Sequence, residues 1–162
     1  MADSLQEILE NIVPALRKTI PPVYFLAALI LMFLLNYFLP LSLLIYVPIR
    51  ILGILIVIGG LAITAMAALE FRKAGTPIRP FEKSTTLVTD GIYRYSRNPM
   101  YLGMIVMLTG TWFALGSFSP VIVIPVFFFI IQEGFIREEE SRLIDLFDED
   151  YFKYREKVRR WL

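Results

Sequence analysis

Apolar residues in this chain fall in unbroken runs, not at the three-four spacing of a surface helix, and charges stand almost entirely between the runs. Pro22 to Phe38 is uncharged and rich in Leu, Phe and Ala, long enough for one membrane crossing. Ile51 to Leu69 is a second such run, bounded by Arg50 and Glu70, and Gly53, Gly59 and Gly60 with Ala62, Ala65 and Ala67 give it small surfaces for close helix approach. Pro40, Ser42 and Pro48 make Leu41 to Val47 a connector. The run from Asn98 to Gln132 would be ~50 Å as one helix at ~1.5 Å per residue, too long for a bilayer core of ~30 Å. Gly116-Ser117-Phe118-Ser119-Pro120 divides it into a hairpin of two spans, Pro99 to Leu115 and Pro120 to about Gln132, with Pro125 bending the latter.

Before the first span, Leu5, Ile8, Leu9, Ile12, Val13 and Leu16 share a helical face, which predicts an amphipathic helix on the membrane surface. Acidic residues ahead of Arg17-Lys18, and no small-residue cleavage site, argue against a cleaved leader. The polar stretch Phe71 to Ser96 is largely turning or extended, given Gly75, Pro77, Pro80 and Asp90-Gly91. After Gln132 the chain is charged but keeps helical periodicity. Leu143, Phe147, Tyr151, Tyr154, Val158 and Trp161 predict one apolar face on a C-terminal amphipathic helix.

The fold class is therefore all-α: a polytopic membrane protein of about four transmembrane helices plus a C-terminal amphipathic cytosolic helix. Residues 1–162 form one membrane domain, with a surface helix and two spans in 1–70 and a loop, hairpin and terminal helix in 71–162. Hydrophobic residues are 57% of the 162 and charged ones 19%. A net charge of +1 gives no reason to expect nucleic-acid binding. All sixteen Lys and Arg except Arg50 lie before the first span, after the second, or after the fourth, which places both termini and the 71–98 loop in the cytoplasm. The chain's compactness points to a prokaryotic plasma membrane.

With neither cysteine nor histidine, thiol chemistry, disulfides and the commonest metal ligands and general base are excluded; no metal site is expected. Chemistry must run on carboxylates, tyrosines, arginines, lysines and a bound cofactor. Asn98 is a suitable helix N-cap and Pro99 suits the first helical position, so the third span starts there with its positive dipole end beside Arg97. Such an end attracts an anionic group. Because the last two spans form a hairpin, Arg97 and Asn98 must neighbour Glu133, Arg137, Glu138, Glu139, Glu140 and Arg142. Consecutive glutamates turn by ~100° each, and Glu133 and Arg137 share a face with Glu140, so at least one carboxylate faces the interior.

Three blocks, Pro77-Ile78-Arg79-Pro80, then Leu87 through Gly103 (LVTDGIYRYSRNPMYLG), then Glu139-Glu140 with Leu143, Phe147, Tyr151 and Tyr154, resemble the isoprenylcysteine carboxyl methyltransferase and phospholipid methyltransferase family. The resemblance covers roughly the C-terminal half. The family's arginine-histidine-proline block falls on Arg97, Asn98 and Pro99, so Asn stands where His is usual, and Asp148 stands where a glycine usually follows the phenylalanine.

What the resemblance implies is methyl transfer from S-adenosylmethionine, held at the cytosolic membrane face, to a lipophilic acceptor arriving from the bilayer, isoprenylcysteine carboxylate-like or phospholipid-like. It assigns Arg97, Asn98, Tyr101, Gly103, Glu139 and Glu140 to cofactor binding, with Glu139 and Arg142 at the reacting centre and Arg142 orienting an anionic acceptor. Displacement from a sulfonium needs positioning and water exclusion more than acid–base help. Tyr101 as an interface anchor and Gly103 as a packing residue are the ordinary alternatives. The rival functions are a sterol-reductase-like enzyme using NADPH and a non-catalytic membrane scaffold or transporter subunit. The expected partners are the lipophilic substrate and membrane lipids, and the small residues of the second span allow a homodimer.

Overall fold

The computed structural model describes residues 20–41, 47–77 and 85–162. The expected surface helix before Thr19, most of the connector after Leu41 and most of the Pro77–Pro80 block lie outside the described residues. Helix α1 is Pro21–Phe38, α2 is Val47–Lys73, α3 is Pro99–Leu115, α4 is Val123–Ile131 and α5 is Arg137–Lys157. A single π turn, Gln132–Ile136, joins α4 to α5 without a break. The protein is thus a polytopic helical membrane protein. Among the described residues three stretches, α1, α2 and Ser119–Lys157, are long and apolar enough to cross a bilayer, and α3 is a shorter apolar helix of 17 residues. In the last stretch the apolar part ends at Ile136, and α5, which carries the charges, extends beyond it.

Large apolar side chains cover the outside of α1 and α2: Leu26, Phe33, Ile54, Leu55, Ile58 and Leu61 are each at least half exposed. In water such a surface would associate; against lipid it is solvated. The interior is a cluster of fully buried Met32, Leu108, Phe127, Ile131, Phe135 and Ile136.

Small residues set how closely the helices meet. A Cβ on Gly53 would lie 2.6 Å from the Gly110 carbonyl oxygen, and one on Gly60 2.7 Å from that of Gly103. The seven-residue spacing of Gly53 and Gly60 on α2 matches that of Gly103 and Gly110 on α3, so the two antiparallel backbones touch along one seam. The Gly53 and Gly60 part of the helix-packing surface expected on the second span is therefore spent inside the chain, and α2, at 27 residues, extends past the Ile51–Leu69 run at both ends.

The hairpin between α3 and α4 turns where expected. Gly116 ends α3 in the left-handed region (φ 75°), a conformation glycine adopts without a Cβ clash. Buried Ser117 donates its hydroxyl to Asn36 Oδ1 at 2.6 Å, Trp112 Nε1 donates to the Ser117 carbonyl at 3.0 Å, and Ser119 Oγ donates to the Leu35 carbonyl at 3.2 Å. The turn's polar groups are thus satisfied by protein, on the end of α1. The irregularity near Pro125 is a 3-10 turn, Ser119–Ile122, that precedes it; Pro125 itself lies in the first turn of α4, where no backbone bond is lost.

The C-terminal helix departs from expectation. Asp148 breaks α5 with φ 37° and ψ −113°, and the helix ends at Lys157: Val158 is extended but still buries with Tyr151 and Tyr154, whereas Trp161 leaves that face and packs on Phe128. Residues 158–162 run back across the start of α3.

Candidate active site

The loop before α3 is fixed from two sides. Gly91, with φ 60°, lets the chain pass so close to α2 that a Cβ there would meet the Glu70 carboxylate at 2.7 Å, and the Phe71 and Tyr93 rings lie 5.5 Å apart. From α5, the Tyr154 hydroxyl donates to the Tyr93 carbonyl at 2.6 Å. Ser96 and Asn98 are buried, and both donate to the Arg160 carbonyl, at 3.3 and 3.1 Å. Asn98 does occupy the N-cap position, but its side chain does not cap α3; its amide is committed to the returning chain. The Arg97 N–H is likewise taken, by the Arg159 carbonyl at 3.0 Å.

Arg97 is the cation that the loop presents. Its side chain is only 8% exposed. One terminal nitrogen lies 3.2 Å from Glu140 Oε1 and the other donates to the Tyr151 hydroxyl at 3.2 Å, while Nε has no partner. Glu140 is equally buried and is shared: Arg160 grips both of its oxygens, Nη2 to Oε2 at 2.6 Å and Nε to Oε1 at 3.1 Å. Such a forked pair is strong and fixes orientation. One helical step earlier, Glu139 turns away from this cluster and accepts a 2.6 Å hydrogen bond from the Tyr101 hydroxyl. The three glutamates do take three surroundings: Glu138 pairs with Arg142 at 3.0 Å on an outer face, and Glu133 pairs with exposed Arg137.

Arg97, Tyr101, Glu139, Glu140 and Tyr151 line a cavity of about 540 Å³, within the ~300–1,000 Å³ range of small-molecule sites. Its walls come from the start of α1 (Pro21, Pro22), the end of α2 (Phe71), the loop (Leu87, Val88, Tyr93), α3 (Met100, Tyr101, Met104) and α5 (Leu143, Tyr151). Polar groups are few and convergent. Burial in this low-polarity space pushes the Glu139 carboxyl from its ordinary 4.5 up to about 7; the Tyr101 hydrogen bond opposes that rise, the charge of Glu140 adds to it, and Arg142 opposes it. Burial, with Tyr154 and Glu139 as neighbours, also raises Tyr93 far above the usual phenol range and keeps it neutral.

Of the residues singled out from sequence, Arg97, Asn98, Tyr101, Glu139, Glu140 and Arg142 all line this one cavity. Gly103 does not. Its missing side chain faces Thr64 and the Gly60 carbonyl of α2, so it belongs to helix packing. Sequence reasoning missed Arg160, which has no distinguishing mark in a run of basic residues, and it placed Tyr151 and Tyr154 on an apolar face and in the resembling block without giving their hydroxyls a role. Their hydroxyls in fact tie the arginine and the loop in place.

Architecture and cavity together define a polytopic helical membrane protein with a cavity of small-molecule size at one polar end of its bundle. Residues 48–150 match the phospholipid methyltransferase family, and the chain belongs to that family. Among curated proteins, it is 37% identical over 76 residues to the protein-S-isoprenylcysteine O-methyltransferase of Schizosaccharomyces pombe and 34% identical over 84 residues to the protein of the same name in Saccharomyces cerevisiae. These matches cover 47% and 48% of this chain but 32% of each relative, so the chain spans about a third of their length. An uncharacterised protein of Haemophilus influenzae is 33% identical over 63 residues, which is all of that protein and 39% of this chain.

Proposed function

We propose that the protein transfers a methyl group from S-adenosylmethionine to a lipophilic acceptor at the membrane face that carries the cavity. The observation that carries this reading is the convergence of Arg97 and Tyr101, from the start of α3, with Glu139 and Glu140, from the start of α5, around one apolar-walled cavity. The residues fit such a donor. A buried guanidinium with one unspent N–H suits a carboxylate, the Glu139 carboxylate and the faces of Tyr93 and Tyr101 suit a cationic sulfonium, and Leu87, Val88 and Leu143 offer an apolar enclosure for a purine. When bound, the donor supplies an already activated methyl group.

The chain's own part is to orient and to keep water out. Arg97, held by Glu140 and Tyr151, fixes the anionic end of the donor; Tyr101 and Glu139 hold the charged centre; Arg142, half exposed at the rim, orients an anionic acceptor. With its carboxyl near neutrality, Glu139 can also accept a proton from an acceptor that loses one. The lysine and arginine distribution supports placing this face, and both termini, on the cytoplasmic side. For a homodimer, the Gly53–Gly60 seam is already used, which leaves the exposed Gly59 and Ala62 side of α2 as the available small-residue surface.

Incubation of the purified chain with isotopically labelled methyl donor and a total lipid extract tests the proposal: label should enter an organic-soluble product. Label confined to water, from protein that remains folded, would refute it. Binding of NADPH in place of the donor would favour the reductase reading, and binding of neither the scaffold reading.

A further inference from the structure

The segment 158–162 lies beyond the family match, which ends at residue 150, and lines none of the cavity itself, yet it is bonded to residues that do. It is fastened at four places: the Arg159 carbonyl to the Arg97 N–H, the Arg160 carbonyl to Ser96 and Asn98, Trp161 Nε1 to Gln132 Oε1 at 3.1 Å, and the Trp161 ring 4.9 Å from that of Phe128. This anchoring holds the Arg160 guanidinium on Glu140. Two cations then share one carboxylate. The Arg160 contact is forked and reaches 2.6 Å, while that from Arg97 is a single 3.2 Å contact that leaves Nε unpartnered. Counted as formal charges, Arg97, Arg160 and Glu140 sum to +1 in a site where Arg97 is more than nine-tenths buried.

We infer that Arg160 is a positioning residue for the donor's carboxylate: by occupying Glu140 it keeps the Arg97 charge available to an anionic group in the cavity. This rests on the donor assignment above and extends it to a residue outside the family match. Without Arg160, the cluster is neutral and Glu140 closes on Arg97. Without both Arg160 and Glu140, the charge returns to +1 and Arg97 is released again. Affinity for a carboxylate-bearing ligand should therefore follow the charge of the cluster, not the number of bonds within it.

The test is isothermal titration of the full chain in lipid nanodiscs with two ligands, S-adenosylmethionine and its decarboxylated analogue, which lacks only the carboxylate. Arg160→Gln should weaken binding of the first about tenfold, the order expected for loss of one nearby charge, and leave the analogue unchanged or slightly tighter. Adding Glu140→Gln should restore binding of the first ligand to within about threefold of the original. Equal losses for both ligands, an unchanged Arg160→Gln protein, or a double variant no better than the single one would each overturn the inference. If Arg160→Gln does not fold, Glu140→Gln alone serves, because its cluster is +2: the carboxylate-bearing ligand should bind more tightly, and weaker binding refutes the idea. Failure of the unaltered protein to bind either ligand would instead remove the donor assignment itself.

Discussion

Gly103→Ala separates two roles for a residue inside the block that resembles the family motif. A Cβ at this position would overlap Thr64 Oγ1 and stand 2.7 Å from the Gly60 carbonyl oxygen and 2.9 Å from the Thr64 backbone nitrogen. The hydroxyl can rotate; the backbone atoms cannot, so α2 and α3 must separate. Overpacking of this kind costs about 1–3 kcal/mol, and contact with backbone belongs at the upper end. Replacing a helical glycine by alanine returns about 1 kcal/mol, which leaves a net loss of about 2 kcal/mol. For a chain of this size that lowers the melting temperature by on the order of 5 °C. Gly59→Ala is the internal control, since nothing lies within 4 Å of its Cβ position; it should melt at or above the original temperature. Thermal unfolding in detergent measures both, with donor titration on the same samples at low temperature. A Gly103→Ala protein that melts normally but no longer binds donor would refute the packing assignment and return Gly103 to the site.

Asp148→Gly should raise the melting temperature, because φ 37° with ψ −113° costs an L-residue about 1 kcal/mol or more that glycine avoids; an unchanged or lower value would mean the Asp148 side chain compensates. Trp161→Ala removes the ring contact with Phe128 and the bond to Gln132 and should cost about 2 kcal/mol, below the 3–5 kcal/mol of a fully buried Trp, checked by the same melting assay. The Glu139 carboxyl titrates at about 7 when folded against 4.5 otherwise. The folded state therefore holds its proton more tightly, and stability from this group is complete below pH 4.5, declines as pH rises toward 7 and is level above that. Glu139→Gln should flatten that decline in pH-dependent unfolding curves; an unaltered slope would exclude Glu139 as its source.

The spans, the hairpin turn and the meeting of Arg97 with the glutamates were legible because each follows from a strong local signal. Long uncharged runs must cross, Gly116 must turn, and a hairpin must bring its two open ends together. Half of the packing seam was also legible, in Gly53 and Gly60 among the small residues of the second span, but small residues alone do not name the partner helix, and Gly110 drew no notice. The returning segment was not legible. Its bonds to Arg97, Ser96 and Asn98 use backbone carbonyls, which leave no mark in side-chain pattern, and the positions of Val158 and Trp161 happen to extend the period of the preceding helix. Asp148 was the one warning, an L-residue at the position where the resemblance implies glycine. Which glutamate meets Tyr101 and which meets Arg97 depends on the π turn at Gln132–Ile136, whose extra residue re-phases all that follows.

Calorimetric titration of the purified chain with S-adenosylmethionine, beside Arg97→Gln and beside NADPH, tests most directly whether the two helix starts build a donor site. One equivalent of donor should bind the unaltered protein, NADPH should give no heat, and Arg97→Gln, still folded, should bind at least tenfold more weakly. Donor binding that survives Arg97→Gln unchanged, or a folded protein that takes up no donor, would contradict it.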